Sequence, residues 1–190
     1  MSIVFELNHA SLAADPQFAG LAEALAAQPK IDSRASFNRY CREACRLWEA
    51  QFPAGIGETT AKYAELVDEV SRGGDQVIPT SWGGVVVTVH EHPRVEKYLV
   101  IRKGGYLALE THEEKDERLE VQEGAGLILC RRTADEPLTV QALVPGAQFH
   151  FLPRMEHCII GTENLLVFER SIDPKGMDKD LVFIFEPDLS

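Results

Sequence analysis

Two histidines and two glutamates stand at spacings that could bring them to one metal ion. Glu110 and His112 are two residues apart, so on a strand their side chains project from the same face. Residues 113–116 predict a turn, which would return Glu117 on the adjacent antiparallel strand. A later strand-like segment supplies His157. If these strands belong to one barrel, two imidazoles and two carboxylates converge on one point and predict a site for a divalent metal.

The types of these side chains limit which metal they would bind. Carboxylates and imidazoles suit one Zn, Mn, Fe, Co or Ni ion better than Cu(I), which prefers sulfur. Four protein ligands would leave two positions of an octahedral ion open to substrate or water, as catalysis requires. The alternative interpretation is an acidic surface hairpin, because Glu113, Glu114 and Asp116 crowd the same segment. Metal ligation is favoured because glycine-marked turns flank the segment and because His157 follows Pro153 in a later pair of strands.

The pattern also resembles that of the cupin superfamily. The first cupin motif has two ligands one residue apart, a short gap, a glutamate and a glycine, and the second motif supplies a histidine after a proline. Within the superfamily, the chain is most similar to the cupin domain of bifunctional (type II) mannose-6-phosphate isomerases, which has a glutamine where Glu110 stands. Segments 81–85 and 95–105 resemble the strands before the first motif, and the likeness covers about residues 80–172. It implies that the metal ligands are Glu110, His112, Glu117 and His157.

The resemblance further implies an aldose-ketose isomerase or epimerase that acts on a sugar or sugar phosphate. In such a reaction the metal binds a carbonyl and the neighbouring hydroxyl and stabilises an enediolate, while a base moves a proton between the two carbons. Lys115 falls where the resembling family has a basic residue. Lys97 and Arg170 are the other candidates for substrate binding or proton transfer, and the alternative for each is an exposed charge on a strand. Segment 180–187 departs from the family because it contains no basic residue.

Two other functional classes stay open for the same barrel. A cupin dioxygenase would use iron or manganese in this pocket, although such sites often have three histidines and Glu110 stands in place of one of them. A non-catalytic cupin that binds a sugar or an effector would keep the barrel and lose the base.

Composition and charge favour a small-molecule partner. With 19 Lys and Arg against 30 Asp and Glu, the net charge is -11, which argues against a nucleic-acid or anionic-membrane partner. No apolar run approaches the roughly 18 residues of a membrane helix, and the N-terminus has no basic region followed by an apolar one. We therefore expect a soluble, cytoplasmic protein. The four cysteines form no Cys-x-x-Cys pair, and we expect them to be reduced thiols.

The chain divides into two parts of different character. Residues 1–74 read as an α-helical segment, and residues 75–190 read as the cupin barrel domain, with the boundary at Gly73 and Gly74. Helices are predicted over 15–28, from an N-cap at Ser33 and over 58–71. Four arginines lie along the second helix: Arg34, Arg39, Arg42 and Arg46. They could clamp a phosphate, but we favour a solvent-exposed helix face on which they pair with Glu43 and Glu49.

The second part alternates apolar and polar residues at short, regular intervals, which predicts an all-β sandwich or barrel. The resemblance makes the expected fold mainly β, a cupin-type double-stranded β-helix (jelly-roll barrel) with the helical segment in front. That segment can cover an outer face or a mouth of the barrel, or form a homodimer contact. The candidate strands are 85–90, 95–102, 106–111, 118–122, 126–131, 139–144, 148–152, 158–160, 165–172 and 181–185.

Overall fold

The computed structural model describes residues 4–188. Within that range the chain forms four helices and two six-stranded sheets, with strand orders β1-β8-β7-β10-β5-β12 and β2-β3-β4-β11-β6-β9. The helices are α1 Ala10–Ala13, α2 Ala19–Ala26, α3 Arg34–Gln51 and α4 Ala61–Arg72. The strands are β1 Leu7–Asn8, β2 Val77–Thr80, β3 Gly83–Glu91, β4 Arg94–Ile101, β5 Leu109–His112, β6 Asp116–Gly124, β7 Gly126–Arg131, β8 Leu138–Leu143, β9 Gln148–Phe151, β10 Glu156–Ile160, β11 Leu165–Ile172 and β12 Leu181–Phe185.

Alternating side chains of the two sheets pack against each other to form the barrel interior. Leu99 of β4 and Val167 of β11 share one apolar core with Ile128 of β7 and Ile159 of β10. Every strand pair is antiparallel except β1 with β8. The fold is the predicted mainly β, cupin-type double-stranded β-helix.

The ten predicted strands are all present, with ends shifted by a few residues. Two further strands were missed. β1 has only two residues, too few to show an alternation. β2 contains Pro79, which lowers strand propensity, and it lies at the edge of its sheet, where a missing N–H group is tolerated.

The predicted hairpin around residues 113–116 is wrong. β5 pairs with β10 and β12 in one sheet, whereas β6 pairs with β9 and β11 in the other. The turn instead carries the chain across to the facing sheet, and the Asp180 carboxylate holds it by accepting hydrogen bonds from the N–H groups of Glu114 and Lys115. As a result, Glu110 and Glu117 approach the interior from opposite walls.

The helices cover the outer faces of both sheets. Phe37, Tyr40 and Trp48 of α3 share an apolar core with Leu127 and Leu129 on the back of the first sheet. On the second sheet, α4 packs through residues that include Tyr63, Leu66 and Val70. The helical segment therefore covers an outer face of the barrel, which is one of the arrangements that the sequence left open. The division of the chain into two domains at residue 74 and a homodimer contact stay predictions.

The ends of the helices follow their capping residues. The Ser33 N-cap is confirmed, because its side chain accepts from the N–H of Ser36 in a capping box. The helix predicted over 15–28 is present as the shorter α2, because residues 14–18 form a turn after α1 in which Asp15 accepts from the Gln17 N–H. α4 begins later than predicted, after its N-cap Thr60. No helix of residues 4–188 is long and apolar enough to cross a membrane.

Three of the four arginines of α3 bind protein groups. Arg46 pairs with Glu43, as predicted, whereas Glu49 pairs with Lys103. Arg42 forms an ion pair with Asp188, and Arg34 donates to the backbone carbonyls of Glu186 and Pro187. These contacts tie the C-terminal segment to α3. All four cysteines are free thiols, as expected.

Candidate functional site

A cavity of about 510 Å³ opens into the barrel between the two sheets. Its walls are mostly apolar, and exposed Ile78 and Phe183 lie at its opening. Its buried end is polar and charged. The charged and imidazole side chains that line this end come from both sheets, from the turn before β6 and from the loop before β12: Lys97, Glu110, Lys115, Glu117, His157, Glu169 and Asp178.

Three of the four predicted metal ligands meet at this end of the cavity. Glu110 and His157 lie side by side, because they are register partners on β5 and β10. Glu117 reaches them from β6 in the facing sheet. Its Oε1 atom lies 2.8 Å from His157 Nε2, and Glu110 Oε1 lies 3.8 Å from the same nitrogen.

His112 is placed differently from these three residues. Its ring does not line the cavity and is stacked near that of His157, with 6.2 Å between the ring centroids. The side chain is buried, and its Nδ1 atom lies 2.9 Å from Asp180 Oδ1. The other Asp180 oxygen accepts from the backbone N–H groups of Glu114 and Lys115. The structure therefore brings together a histidine and a buried aspartate that the sequence patterns did not connect.

Lys115 and Lys97 both line the cavity as part of a buried ionic network. Lys115 Nζ lies 2.8 Å from one oxygen each of Glu117, Glu169 and Asp178. Lys97 Nζ contacts the second oxygen of Glu169 at 3.4 Å and donates a hydrogen bond to Asp178. Two carboxylates thus bridge the two ammonium groups.

Arg170 does not reach the cavity. Strand alternation on β11 directs Glu169 inward and Arg170 outward, where 64% of its side chain is exposed and its guanidinium lies over the Phe168 ring. The same alternation could have identified Glu169 as an interior residue, once the apolar face of the strand was known. Asp178 and Asp180 lie in a loop without periodicity, so no sequence signal marked them.

Burial and neighbouring charges shift the pKa values of these groups. Burial raises the pKa of Glu110 to about 7, with the Glu117 charge adding to the rise and the His157 charge opposing it. Burial also opposes the ionisation of Glu117, but Lys115 and His157 hold its pKa well below the usual range. For His157 and Lys115, burial favours the neutral form, yet the surrounding carboxylates raise both pKa values. The network is therefore held together by ionised partners.

The donor set fits a divalent metal in kind, and two of its distances approach the spacing of a metal shell. Atoms that bind one ion at about 2.1 Å stand about 3–4 Å apart, and the distances of 2.8 and 3.8 Å around His157 Nε2 are close to that range. Glu117 Oε1 is buried and faces only His157 Nε2, so it is the Glu117 oxygen that a ligand between the two side chains could use. Within residues 4–188, however, no three His, Cys, Asp or Glu side chains are arranged so that they could hold a metal ion, and Lys115 holds the other Glu117 oxygen.

Comparison with known proteins gives matches at the level of structure. No protein-family model matches the chain, and no curated protein sequence matches it. The capsular polysaccharide assembling protein CapF from Staphylococcus aureus superposes with a TM-score of 0.51 at 15% identity, over 57% of this chain and 34% of CapF. CapF in complex with the inhibitor 3-isopropenyl-tropolone gives a TM-score of 0.50 at 14% identity, over 57% of this chain and 34% of that protein. A mutant of the oxalate decarboxylase OxdC from Bacillus subtilis gives 0.49 at 15% identity, over 60% of this chain and 31% of that protein.

The aligned region spans about a third of the length of CapF, and the low identity limits the likeness to the fold. The fold of the region that superposes on CapF agrees with the observed arrangement of two facing sheets around a cavity. The chain therefore has the cupin-type double-stranded β-helix fold.

Proposed function

We propose that the protein is a metal-dependent enzyme of the cupin type that isomerises or epimerises a sugar or sugar phosphate. The observation that carries the proposal is the meeting of Glu110, Glu117 and His157 from three strands at the buried end of a cavity large enough for a small molecule. These three residues, with His112 beside them, would hold one divalent ion. CapF is named for capsular polysaccharide assembly, and a carbohydrate-related ligand is in keeping with that name.

The side chains around this point have separate roles in the proposed reaction. A bound divalent ion would supply Lewis-acid polarisation of a carbonyl and its neighbouring hydroxyl. Lys115 fixes one oxygen of Glu117 and leaves the other facing His157. We assign Lys97 to substrate binding, because two carboxylates raise its pKa, keep it protonated and occupy two of its three N–H groups. Lys115 donates to three carboxylates, and we assign it to holding Glu117 in place. The apolar walls exclude water from the buried end.

The second candidate is a non-catalytic cupin that binds a sugar or an effector. The observation that favours it is the ionic network itself. Lys97 and Lys115, the two lysines that line the cavity within residues 4–188, are both paired with carboxylates, so neither is a free base. This candidate predicts ligand binding without turnover.

Elemental analysis of the purified protein tests the metal site, with His157→Ala as the variant and His150→Ala as the matched control. His150 lies outside the cavity on β9, where its side chain is partly exposed and contacts Asp116. We expect one divalent ion per chain in the wild type and in His150→Ala, and loss of the ion in His157→Ala. Full metal content in His157→Ala would place the site elsewhere, and no metal in the wild type after reloading would refute a metalloenzyme.

The identity of the metal and an activity assay then separate the candidate functions. Aldose-ketose interconversion of mannose 6-phosphate and of free hexoses can be followed by NMR on the metal-loaded protein. Turnover that disappears in His157→Ala supports the isomerase. Iron together with oxygen consumption would support the dioxygenase, and ligand binding without turnover would support the non-catalytic cupin.

A further inference from the structure

Asp180 contacts the one predicted ligand that does not line the cavity. It immediately precedes β12, whose first residue, Leu181, is the register partner of His112 on β5. This pairing places the Asp180 side chain beside the His112 ring, and Asp180 Oδ1 lies 2.9 Å from His112 Nδ1. Both side chains are buried.

The hydrogen bonds of Asp180 fix the direction of its contact with His112. Asp180 Oδ2 accepts from the N–H groups of Glu114 and Lys115 at 2.7 and 3.0 Å, so the carboxylate acts as an acceptor. His112 Nδ1 must then donate its proton to Oδ1. In a neutral imidazole only one nitrogen carries a proton, which leaves the lone pair on Nε2. A metal ligand needs that lone pair.

Contacts before and after β12 hold the C-terminal segment that carries Asp180. Before β12, Asp178 binds the two buried lysines, and its backbone N–H donates to Asp173. After β12, the buried side chain of Asn38 on α3 donates to the Glu186 carbonyl and accepts from the Asp188 N–H. The Asp180 carboxylate is therefore part of a rigid arrangement.

We propose that Asp180 is a positioning residue for the metal site, which holds His112 in the tautomer whose Nε2 can bind the ion. This inference rests on the proposed metal site, in which His112 is a ligand. A carboxylate that accepts from the far nitrogen of a ligating histidine fixes the ring and raises its basicity, and loss of such a partner weakens metal affinity about 10- to 100-fold.

Asp180→Asn tests this role with little change in shape. The asparagine can turn its oxygen toward the backbone N–H groups of Glu114 and Lys115, which directs its NH₂ group at His112 Nδ1. Nδ1 must then accept, so the proton moves to Nε2, where it blocks metal binding. The matched control is Asp173→Asn, which removes the charge of a buried carboxylate in the same loop that has no contact with His112. Its amide oxygen can still accept from the Asp178 N–H, so the loop keeps that hydrogen bond.

Two measurements read the effect. Long-range ¹H–¹⁵N NMR of the metal-free proteins reports the His112 tautomer, and we expect the proton on Nδ1 in the wild type and in Asp173→Asn, and on Nε2 in Asp180→Asn. Titration with Zn²⁺ and Mn²⁺ against a competing chelator reports affinity. We expect a loss of about 10- to 100-fold in Asp180→Asn and a change within about threefold in Asp173→Asn.

The results separate this inference from the proposed function. If the wild type binds metal and Asp180→Asn keeps the wild-type tautomer, or if its metal affinity matches that of Asp173→Asn, Asp180 is not a positioning residue. If the wild type binds no metal, the proposed metal site fails and the role of Asp180 toward a metal fails with it. Circular dichroism of each variant shows that the comparison is made on folded protein.

Discussion

At the scale of single residues, the charged end of the cavity is a balance of buried ions. Lys115, with 2% of its side chain exposed, contacts three carboxylates, and Lys97 shares two of them. Buried charges are costly to desolvate, so each persists only because its partners are in place. Glu117 takes part in two sets of contacts, with one oxygen on Lys115 and the other beside His157. The network therefore connects the stability of the barrel to the geometry of the proposed ligands.

Replacement of Lys115 by methionine removes the central cation of this network. Glu117, Glu169 and Asp178 would then lie close together with only Lys97 and His157 to compensate them. We expect a loss of about 3–5 kcal/mol in the free energy of unfolding, the usual result of breaking a buried ion pair. Urea denaturation measures it.

The matched control for this prediction is Lys175→Met. Lys175 is about half exposed and pairs only with exposed Glu113 and Glu114, so its replacement should change the free energy of unfolding by less than about 1 kcal/mol. Equal effects of the two substitutions would show that the ionic network at the cavity contributes nothing to stability.

The sequence predicted some residues of this site and missed others, and the difference has physical reasons. The spacing of Glu110 and Glu117 marked both, and the structure brings both to the cavity. Whether Lys97 or Arg170 faces inward depends on the phase of strand alternation, which the sequence alone did not fix. Asp178 and Asp180 lie in a loop. In a loop, neither the spacing of residues nor the hydrophobic pattern indicates which strand lies next to a given side chain. Their roles depend on the pairing of β12 with β5, a contact between distant parts of the chain.

At the scale of elements, strands were more predictable than their partners. Alternation and turn residues marked ten strands, because both signals are local. The pairing of β5 with β6 was predicted from their closeness in sequence, but the chain crosses to the other sheet between them. In a barrel of two sheets, a short turn can either form a hairpin or cross to the facing sheet. Because this turn crosses to the facing sheet, Glu110 and Glu117 reach the same cavity from opposite sheets.

One buried contact between the helical segment and the barrel is made by a carboxylate that accepts three hydrogen bonds. Glu163, in the turn between β10 and β11, accepts hydrogen bonds from the Trp48 indole at the end of α3 and from the N–H groups of Ile56 and Gly57. Because these three donors would lose their charged acceptor, we expect Glu163→Ala to lower the free energy of unfolding by about 2–3 kcal/mol. Chemical denaturation followed by Trp fluorescence measures the change near Trp48.

Glu49→Ala serves as the control for Glu163→Ala. Glu49 lies on the same helix as Trp48, but it is exposed and pairs only with exposed Lys103. Its loss should change the free energy of unfolding by less than about 1 kcal/mol. If Glu163→Ala were as mild as Glu49→Ala, the hydrogen bonds of Glu163 would contribute little to the contact between the helical segment and the barrel.

At the scale of the whole molecule, the proposed metal site lies inside a barrel that already has a complete apolar core. One cluster of buried residues fills the space between the sheets, and two more join the helices to their outer faces. Three of the four proposed ligands, Glu110, Glu117 and His157, line the charged end of the cavity beside this core. The molecule thus differs from small metal-dependent domains, which unfold without their ion because they lack such a core.

Removal of the metal should therefore leave the fold intact and lower its stability only by the binding free energy. A ligand that binds the folded state alone stabilises it by about 2.7 kcal/mol at a free concentration about 100 times its Kd. We expect chelation to lower Tm by the few degrees that correspond to this term, with an unchanged circular dichroism spectrum at room temperature. Calorimetry with and without chelator measures the shift, which should vanish in His157→Ala and persist in His150→Ala. Loss of the spectrum on chelation would show that the ion is part of the core, and a shift that persists in His157→Ala would mean that the metal binds elsewhere.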